Sequence, residues 1–297
     1  MLNPICLDEN YSTTKLLTKE KPIMKNNPED SFETVFFLPQ NDTRKGEGGL
    51  RTKGYFKKSH EDKPLISVIT VVYNGEKYLE ETIQSVINQT YDNVEYIIID
   101  GGSTDGTLEI IKKYEDQLDY WVSEKDSGIY DAMNKGINLA SGEWINFMNA
   151  GDGFFDEYVI ESISGHLVAD LVYGNHAIYR KNKENFEIID VEFYNDKRNI
   201  PFCHQALFSK AELLKQNPFN LKYTITADYD QYVRLKNAKA SSLYIPMTIA
   251  FYLDGGLSSI SRQKLIREYY EITRNNYPIY SRVVFLIRSI KFKMFGK

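Results

Sequence analysis

A chain of 297 residues with ordinary glycine and proline usage, 18 and 9, is long enough to bury a sizeable core and does not read as fibrous or low-complexity. Its formal charge of −5 gives no global reason to expect nucleic-acid binding, and its apolar runs of about five residues, as at Val283 to Ile287, fall short of the roughly 20 needed for a spanning helix. Cys6 and Cys203 lie outside any Cys-x-x-Cys setting and the first residues lack a secretory pattern, so two buried thiols in a reducing, cytoplasmic compartment are expected.

Residues 1 to 63 are polar and broken by Pro22, Pro28, Pro39 and Gly46-Glu-Gly-Gly49. This pattern predicts an extension, with Val35-Phe-Phe-Leu38 able to dock as a short strand. Within it, Gly48-Gly-Leu-Arg-Thr-Lys-Gly54 joins backbone freedom to Arg51 and Lys53, so the tract either closes over a phosphate or packs as a solvated loop. Leu65 to Val72 reads as a buried strand. A helix follows over Glu76 to Asn88, where Leu79, Ile83, Val86 and Ile87 recur at helical spacing. Val94 to Ile99 reads as a second strand, Gly106 to Tyr114 as a helix, Tyr120 to Val122 as a third strand, Ile129 to Leu139 as a helix and Trp144 to Met148 as a fourth strand. Short connections between continuous apolar strands predict an α/β class, with a mostly parallel sheet flanked by helices. Farther on, Leu171 to Tyr173 and Phe186 to Phe193 read as strands, and Ala211 to Gln216 and Tyr229 to Asn237 as helices. Ser242 to Ala250 carries strand signal interrupted by Pro246, which fits an edge or a break better than a central strand.

Ligands of an open parallel sheet bind beyond the C-terminal ends of its strands, so the residues leaving those strands are the chemical candidates. Asp100 follows the second strand and precedes Gly101-Gly-Ser-Thr-Asp105. Its carboxylate suits the imide N–H of uracil or the corresponding N–H of guanine, while Ser103, Thr104 and Asp105 also suit turn and capping work. Thr70, Val71 and Tyr73 leave the first strand and can wall a nucleoside. Asp152, after Asn149-Ala-Gly, can coordinate Mg2+ or Mn2+ bridging two phosphates, with Asn149 a neutral oxygen donor. Asp131, near the start of the helix from Ile129, either hydrogen-bonds a sugar or stabilises the helix dipole. In Thr226-Ala-Asp-Tyr-Asp230, Asp228 is the favoured proton acceptor, and Asp230, two residues on, points elsewhere and caps or solvates the helix. Arg234 can anchor that helix or assist at a diphosphate. His204 is either a contact to donor or acceptor or a hydrogen-bonded structural histidine, and Gly255-Gly-Leu-Ser-Ser259 is a turn able to close near phosphate.

The ordered set Thr70-Val-Val-Tyr-Asn-Gly75, Ile99-Asp-Gly-Gly-Ser-Thr-Asp-Gly-Thr107, Asn149-Ala-Gly-Asp152 and Ala227-Asp-Tyr-Asp230 resembles the family 2 inverting glycosyltransferases of the GT-A fold. The similarity covers residues 64 to 260 and is greatest to the branch that makes bacterial exopolysaccharide or lipopolysaccharide, including colanic-acid-type enzymes. The resemblance implies a GT-A Rossmann-like sheet with a smaller acceptor-side region. It implies a nucleoside-diphosphate sugar as donor, a UDP-sugar favoured over a GDP-sugar, and a saccharide or lipid-linked saccharide as acceptor. It places Asp100 at the base, Asp152 at the metal and diphosphate, and Asp228 as the catalytic aspartate. Thr70, Val71, Tyr73, Ser103 and Asp131 complete the donor-binding set. Gly101 and Gly151 stand where further aspartates are frequent, Ala227 where a glutamate often stands, and Met133 where an arginine often binds donor. Donor contacts are then fewer, or come from the Arg51 and Lys53 tract.

The expected organisation is an extension over residues 1 to 63, a catalytic domain over 64 to 260 and a helical region over 261 to 297. The last part interleaves Val283, Phe285, Ile287, Ile290 and Phe292 with Arg282, Arg288, Lys291 and Lys293, a basic amphipathic pattern suited to peripheral contact with an anionic membrane or to packing on the domain. The alternatives to catalysis by sugar transfer are a non-catalytic nucleotide-sugar or carbohydrate-binding protein of the same fold, and a nucleotidyltransferase.

Overall fold

The computed structural model describes residues 4–24, 27–31, 33–180, 185–191, 200, 202–254 and 262–277. The basic amphipathic pattern of 281 to 297 and the glycine turn at 255 to 259 lie outside the described residues. In chain order the elements are β1 (Gly46–Gly48), β2 (Ile66–Val72), α1 (Leu79–Ile87), β3 (Val94–Asp100), α2 (Thr107–Lys113), β4 (Tyr120–Ser123), α3 (Ile129–Leu139), β5 (Trp144–Phe147), β6 (Asp152–Phe154), α4 (Val159–Ser164), β7 (Leu171–Arg180), β8 (Asn185–Ile189), β9 (Leu207–Lys210), α5 (Ala211–Gln216), α6 (Ala227–Asn237), β10 (Ser242–Leu253) and α7 (Arg262–Asn276).

One sheet runs in the order β1-β4-β3-β2-β5-β9-β7-β10-β6, with β8 paired to β7. Its centre, β4-β3-β2-β5, is parallel, and antiparallel pairs flank it. Every residue of β2, β3, β4 and β5 is buried, as continuous apolar strands covered on both faces must be. One layer of packing sets Met133, Ile137 and Leu139 of α3 against Ile69, Ile97 and Phe147. The other sets Leu79, Ile83, Val86 and Ile87 of α1 against Val68, Ile98 and Trp144. Burying each such aliphatic side chain contributes about 1.5–3 kcal/mol. Glu80 and Glu81 in the first turn of α1 complement the helix dipole. The parallel register sets Val72 beside Asp100 and Asp100 beside Ser123, so the strand ends named above open on one edge.

One expectation changes and another holds in part. Val35 to Leu38 is not a strand: Val35 N–H donates to Asn138 O at 3.0 Å and Phe36 packs edge-on to Phe56. The pairing falls instead on β1, where small glycines lie against Trp121 and the strand joins β4. Pro246 keeps the expected break, but β10 as a whole is not an edge strand: β6 pairs with it from Ala250 to Tyr252, and beside Pro246 its described partner is β7 alone. The β10–β7 register shifts between Ile245 and Thr248, a bulge that absorbs the missing N–H.

The Arg51 and Lys53 tract does not close over phosphate. Arg51 is 2% exposed. Its guanidinium donates to Glu95 at 2.5 Å and to the carbonyls of Leu139 at 3.0 Å and Phe36 at 3.2 Å. Glu95 also accepts from Ser67 and Ser141. Lys53 faces outward onto Asp116 and Glu115. Nearby, Lys57 pairs with Asp119 at 3.0 Å, both buried. Residues before β2 are therefore riveted to the sheet by ion pairs whose loss of one partner strands a charge. Replacing Arg51 with Met should lower unfolding free energy by about 3–5 kcal/mol in urea titration, while the folded fraction at low temperature keeps full nucleotide affinity. Lost affinity with unchanged stability would return Arg51 to a phosphate site.

Candidate active site

The C-terminal strand edge borders a cleft of about 630 Å³ walled by Val71, Val72, Tyr73, Asn74, Gly75 and Tyr78 on one side and by Asp126, Gly128, Ile129 and Ala132 on another. Asn149, Ala150, Thr224, Ile225 and Lys264 complete it. Tyr73 is exposed and Val71 buried, and both line the cleft. Thr70 does not reach the cleft: its hydroxyl donates to Met148 O at 2.7 Å and pairs with Tyr96 at 2.9 Å, fastening β2 to its neighbours.

Asp100 is 0% exposed. Its oxygens accept from Ser103 N–H, from the Ser103 hydroxyl and from the Ser123 hydroxyl at 2.5 Å. Ser103 Oγ in turn accepts from Asn74 N–H at 2.7 Å. Asn74 has a φ of 52°, a left-handed conformation that asparagine tolerates, and its Oδ1 takes Thr104 N–H at 2.8 Å. Asp100 and Ser103 thus hold the loops of β2 and β3 in one frame. Asp105 accepts from Thr107 N–H at the start of α2 and from Glu76 N–H, the capping role expected of it.

The carboxylate that lines the cleft beside this frame is Asp126, which sequence reasoning passed over. A Cβ at Gly101 would lie 2.5 Å from Asp126 Oδ2, so the glycine that departs from the family pattern makes room for an aspartate from another loop. Burial, with Asp131 and Asp100 nearby, pushes the Asp126 carboxyl above its ordinary value despite the Gly128 N–H it accepts at 2.8 Å. Asp131 accepts Ser127 N–H at 2.9 Å and braces the same loop. The visible signal was the smallness of Gly101 opposite an acidic loop.

A second constellation surrounds the 3-10 turn His204–Ala206. Gln205 Nε2 donates to Asp152 Oδ2 at 2.6 Å. Asn149 Nδ2 lies 2.8 Å from His204 Nε2, and His204 Nδ1 lies 4.0 Å from Asp228 Oδ2. Asp152 and Asp228 therefore flank two adjacent residues, Asp152 bonded to Gln205 and Asp228 4.0 Å from His204. Burial pushes the Asp152 carboxyl up to about 7 and holds His204 down to about 4, so the imidazole is neutral near pH 7. The Nδ1 edge of the His204 ring faces Asp228, and the Nε2 edge faces the Asn149 side-chain amide. Gly151, with a φ of 99°, makes the reversal that returns the chain to Asp152.

Asp228 stands in the first turn of α6, near Thr224 and Ile225 of the cleft wall. Its Oδ1 accepts from Tyr130 O–H at 3.2 Å and from Tyr229 N–H at 2.8 Å. Beside it is an apolar cavity of about 30 Å³ lined by Phe147, Phe202, Phe219 and Tyr232. That burial pushes its carboxyl up to about 6, against the pull of the two donors. Asp230 is not a solvated cap: it is buried and pairs with Arg234 at 2.9 Å, and Arg234 also donates to Pro218 O, anchoring the helix.

Among the described residues no group of three or more His, Cys, Asp or Glu side chains is placed to hold a metal ion. The donor set still fits a hard divalent cation. Asn149 Oδ1 is buried without a hydrogen-bond partner, and Asp152 supplies one carboxylate nearby. Mg2+ keeps several waters and takes one or two carboxylates plus substrate phosphates.

Because the Asp152 folded value of about 7 lies above the unfolded value, near 3.9, its contribution favours the fold below that unfolded value and is lost as pH rises through the folded one. Without divalent cation, Asp152→Asn should be more stable than the parent by about 2–4 kcal/mol at pH 8 and equal to it near pH 4. Urea midpoints across that range test this, and a pH-independent difference would contradict it.

Residues 67–222 match the family described as Glycosyl transferase family 2. A PGL/p-HBAD biosynthesis glycosyltransferase of Mycobacterium tuberculosis is 33% identical over 206 residues, 66% of this chain and 80% of that protein. S. aureus TarS 1-349 in complex with UDP superposes with a TM-score of 0.55 at 18% identity, over 72% of this chain and 66% of that one. The mannosyltransferase PcManGT from Pyrobaculum calidifontis, in complex with GDP-Man and Mn2+, gives a TM-score of 0.56 at 19% identity over 70% and 64%. The chain spans about two thirds of each of these two structures, which share its fold.

Proposed function

This chain belongs to glycosyl transferase family 2, and we propose that it transfers a sugar with inversion from a nucleoside-diphosphate sugar to a hydroxyl of a saccharide or lipid-linked saccharide in cell-surface polysaccharide synthesis. The observation that supports the reading is that Asp152 accepts from Gln205 while the adjacent His204 lies 4.0 Å from Asp228, so the proposed cation-binding carboxylate and the proposed proton acceptor flank the same short turn. A UDP-sugar is the favoured donor and a GDP-sugar the other candidate, the nucleotides named with the two structural relatives. The work belongs on the cytoplasmic side of the membrane, where the basic tail would meet anionic lipid.

In this reading the nucleoside lies against Val71 and Tyr73, with its base and ribose toward Asp126 and the Asp100–Ser103 frame. Asp152 and Asn149 would hold Mg2+ or Mn2+, whose charge would offset that of the diphosphate. The acceptor oxygen attacks the anomeric carbon, the bond from that carbon to the diphosphate oxygen breaks, and Asp228 takes the hydroxyl proton. Tyr130 and His204 orient the Asp228 carboxylate. A base near pH 6 is largely ionised at neutral pH yet basic enough to accept a proton.

Asp228→Asn should keep nucleoside-diphosphate affinity and lose about 10²- to 10⁴-fold in transfer rate. In the parent enzyme kcat should fall below pH about 6, where Asp228 is protonated. Release of nucleoside diphosphate from nucleotide sugars, followed by chromatography, measures both. Full turnover by the variant would remove Asp228 as base.

A further inference from the structure

Among the described residues lining the cleft, Lys264 is the one cation. It is exposed, sits in the first turn of α7, and makes no ion pair with a described residue, whereas Lys222 of the neighbouring segment pairs with Glu271. Met133 fills the position from which an arginine would have reached the donor, and burial at 1% exposure keeps it in the core. A departing nucleoside diphosphate would therefore meet Asp126 and Asn149 with no cation opposite among the described lining residues other than Lys264 of α7.

The placement of α7 is built, not incidental. One turn after Lys264, Glu268 is 7% exposed and accepts three consecutive backbone N–H groups, from Thr224 at 3.1 Å, Ile225 at 3.0 Å and Thr226 at 3.1 Å, together with both threonine hydroxyls. Burial works against its charge, but those donors hold the Glu268 carboxyl below its ordinary value. Tyr269 stacks on Tyr229 with ring centroids 4.3 Å apart, and Ile272 is fully buried. Glu268 thus ties α7 to the segment that enters α6 and carries Asp228, and Thr224 and Ile225 of that segment share the cleft wall with Lys264.

We propose that Lys264 binds the diphosphate of the donor and stabilises the negative charge gathered there as the anomeric bond breaks, held in register with Asp228 by Glu268. The inference rests on the glycosyltransferase reading and names a further residue for that reaction. The ammonium acts as a compact point charge, so charge matters more than fork geometry.

Calorimetric titration of the full chain with UDP and GDP, and with uridine and guanosine, in the presence of Mn2+, tests it on the parent, Lys264→Met and Lys264→Arg. The methionine variant should bind the preferred diphosphate at least about tenfold more weakly, keep the parent's nucleoside affinity and melt at the parent's temperature. The arginine variant should retain most diphosphate affinity. Unchanged diphosphate binding by Lys264→Met overturns the inference, and so does an equal loss for nucleoside and diphosphate, which would mark a shape effect. A parent chain that binds neither UDP nor GDP would instead sink the donor reading, and this inference with it.

Discussion

The desolvation of two aspartates at one edge of the sheet is the constraint on which the site depends. Asp152 and Asp228 come from segments 76 residues apart in sequence, yet each touches or faces one member of the His204–Gln205 pair. Neither carboxylate has a salt-bridging lysine or arginine among the described residues. Burial raises both carboxyls, and in the proposed reading one would accept a cation that relieves its isolation and the other a proton. The neutral His204 between them adds orientation without adding charge.

That edge is framed by buried polar groups that bond to one another. Asp100, buried and satisfied by Ser103 and Ser123, makes the loops of β2 and β3 a single frame. Arg51 and Lys57, from residues before β2, neutralise Glu95 and Asp119 inside the fold. On the far side Glu268 gathers the backbone that leads to Asp228. Rigid supports of this kind let a cleft carry unpaired carboxylates without collapsing onto them.

The sheet was legible because its central strands are continuous apolar runs ending in turn residues, so β2, β3, α3 and β5 follow from periodicity within a residue or two. The positions of Asp152 and Asp228 were legible because the first opens β6 and the second lies in the first turn of α6. The rest depended on long-range partners. Arg51 looks free in sequence because Glu95, its counter-ion, lies 44 residues on in an apolar strand. Asp126 was hidden because its space is made by Gly101 from a different loop. Pro246 marked a break that the register shift between Ile245 and Thr248 supplies, but the continuation of β10 to Leu253 and its pairing with β6 left no local mark. Glu268 is an ordinary helical glutamate until Thr224 to Thr226 are seen beneath it.

Titration of the Asp152 and Asp228 side-chain carboxyls by carbon-13 NMR, in protein free of divalent cation, measures that desolvation directly. The account predicts midpoints of about 7 and about 6. Midpoints near the ordinary aspartate value of about 3.9 for both groups would contradict it.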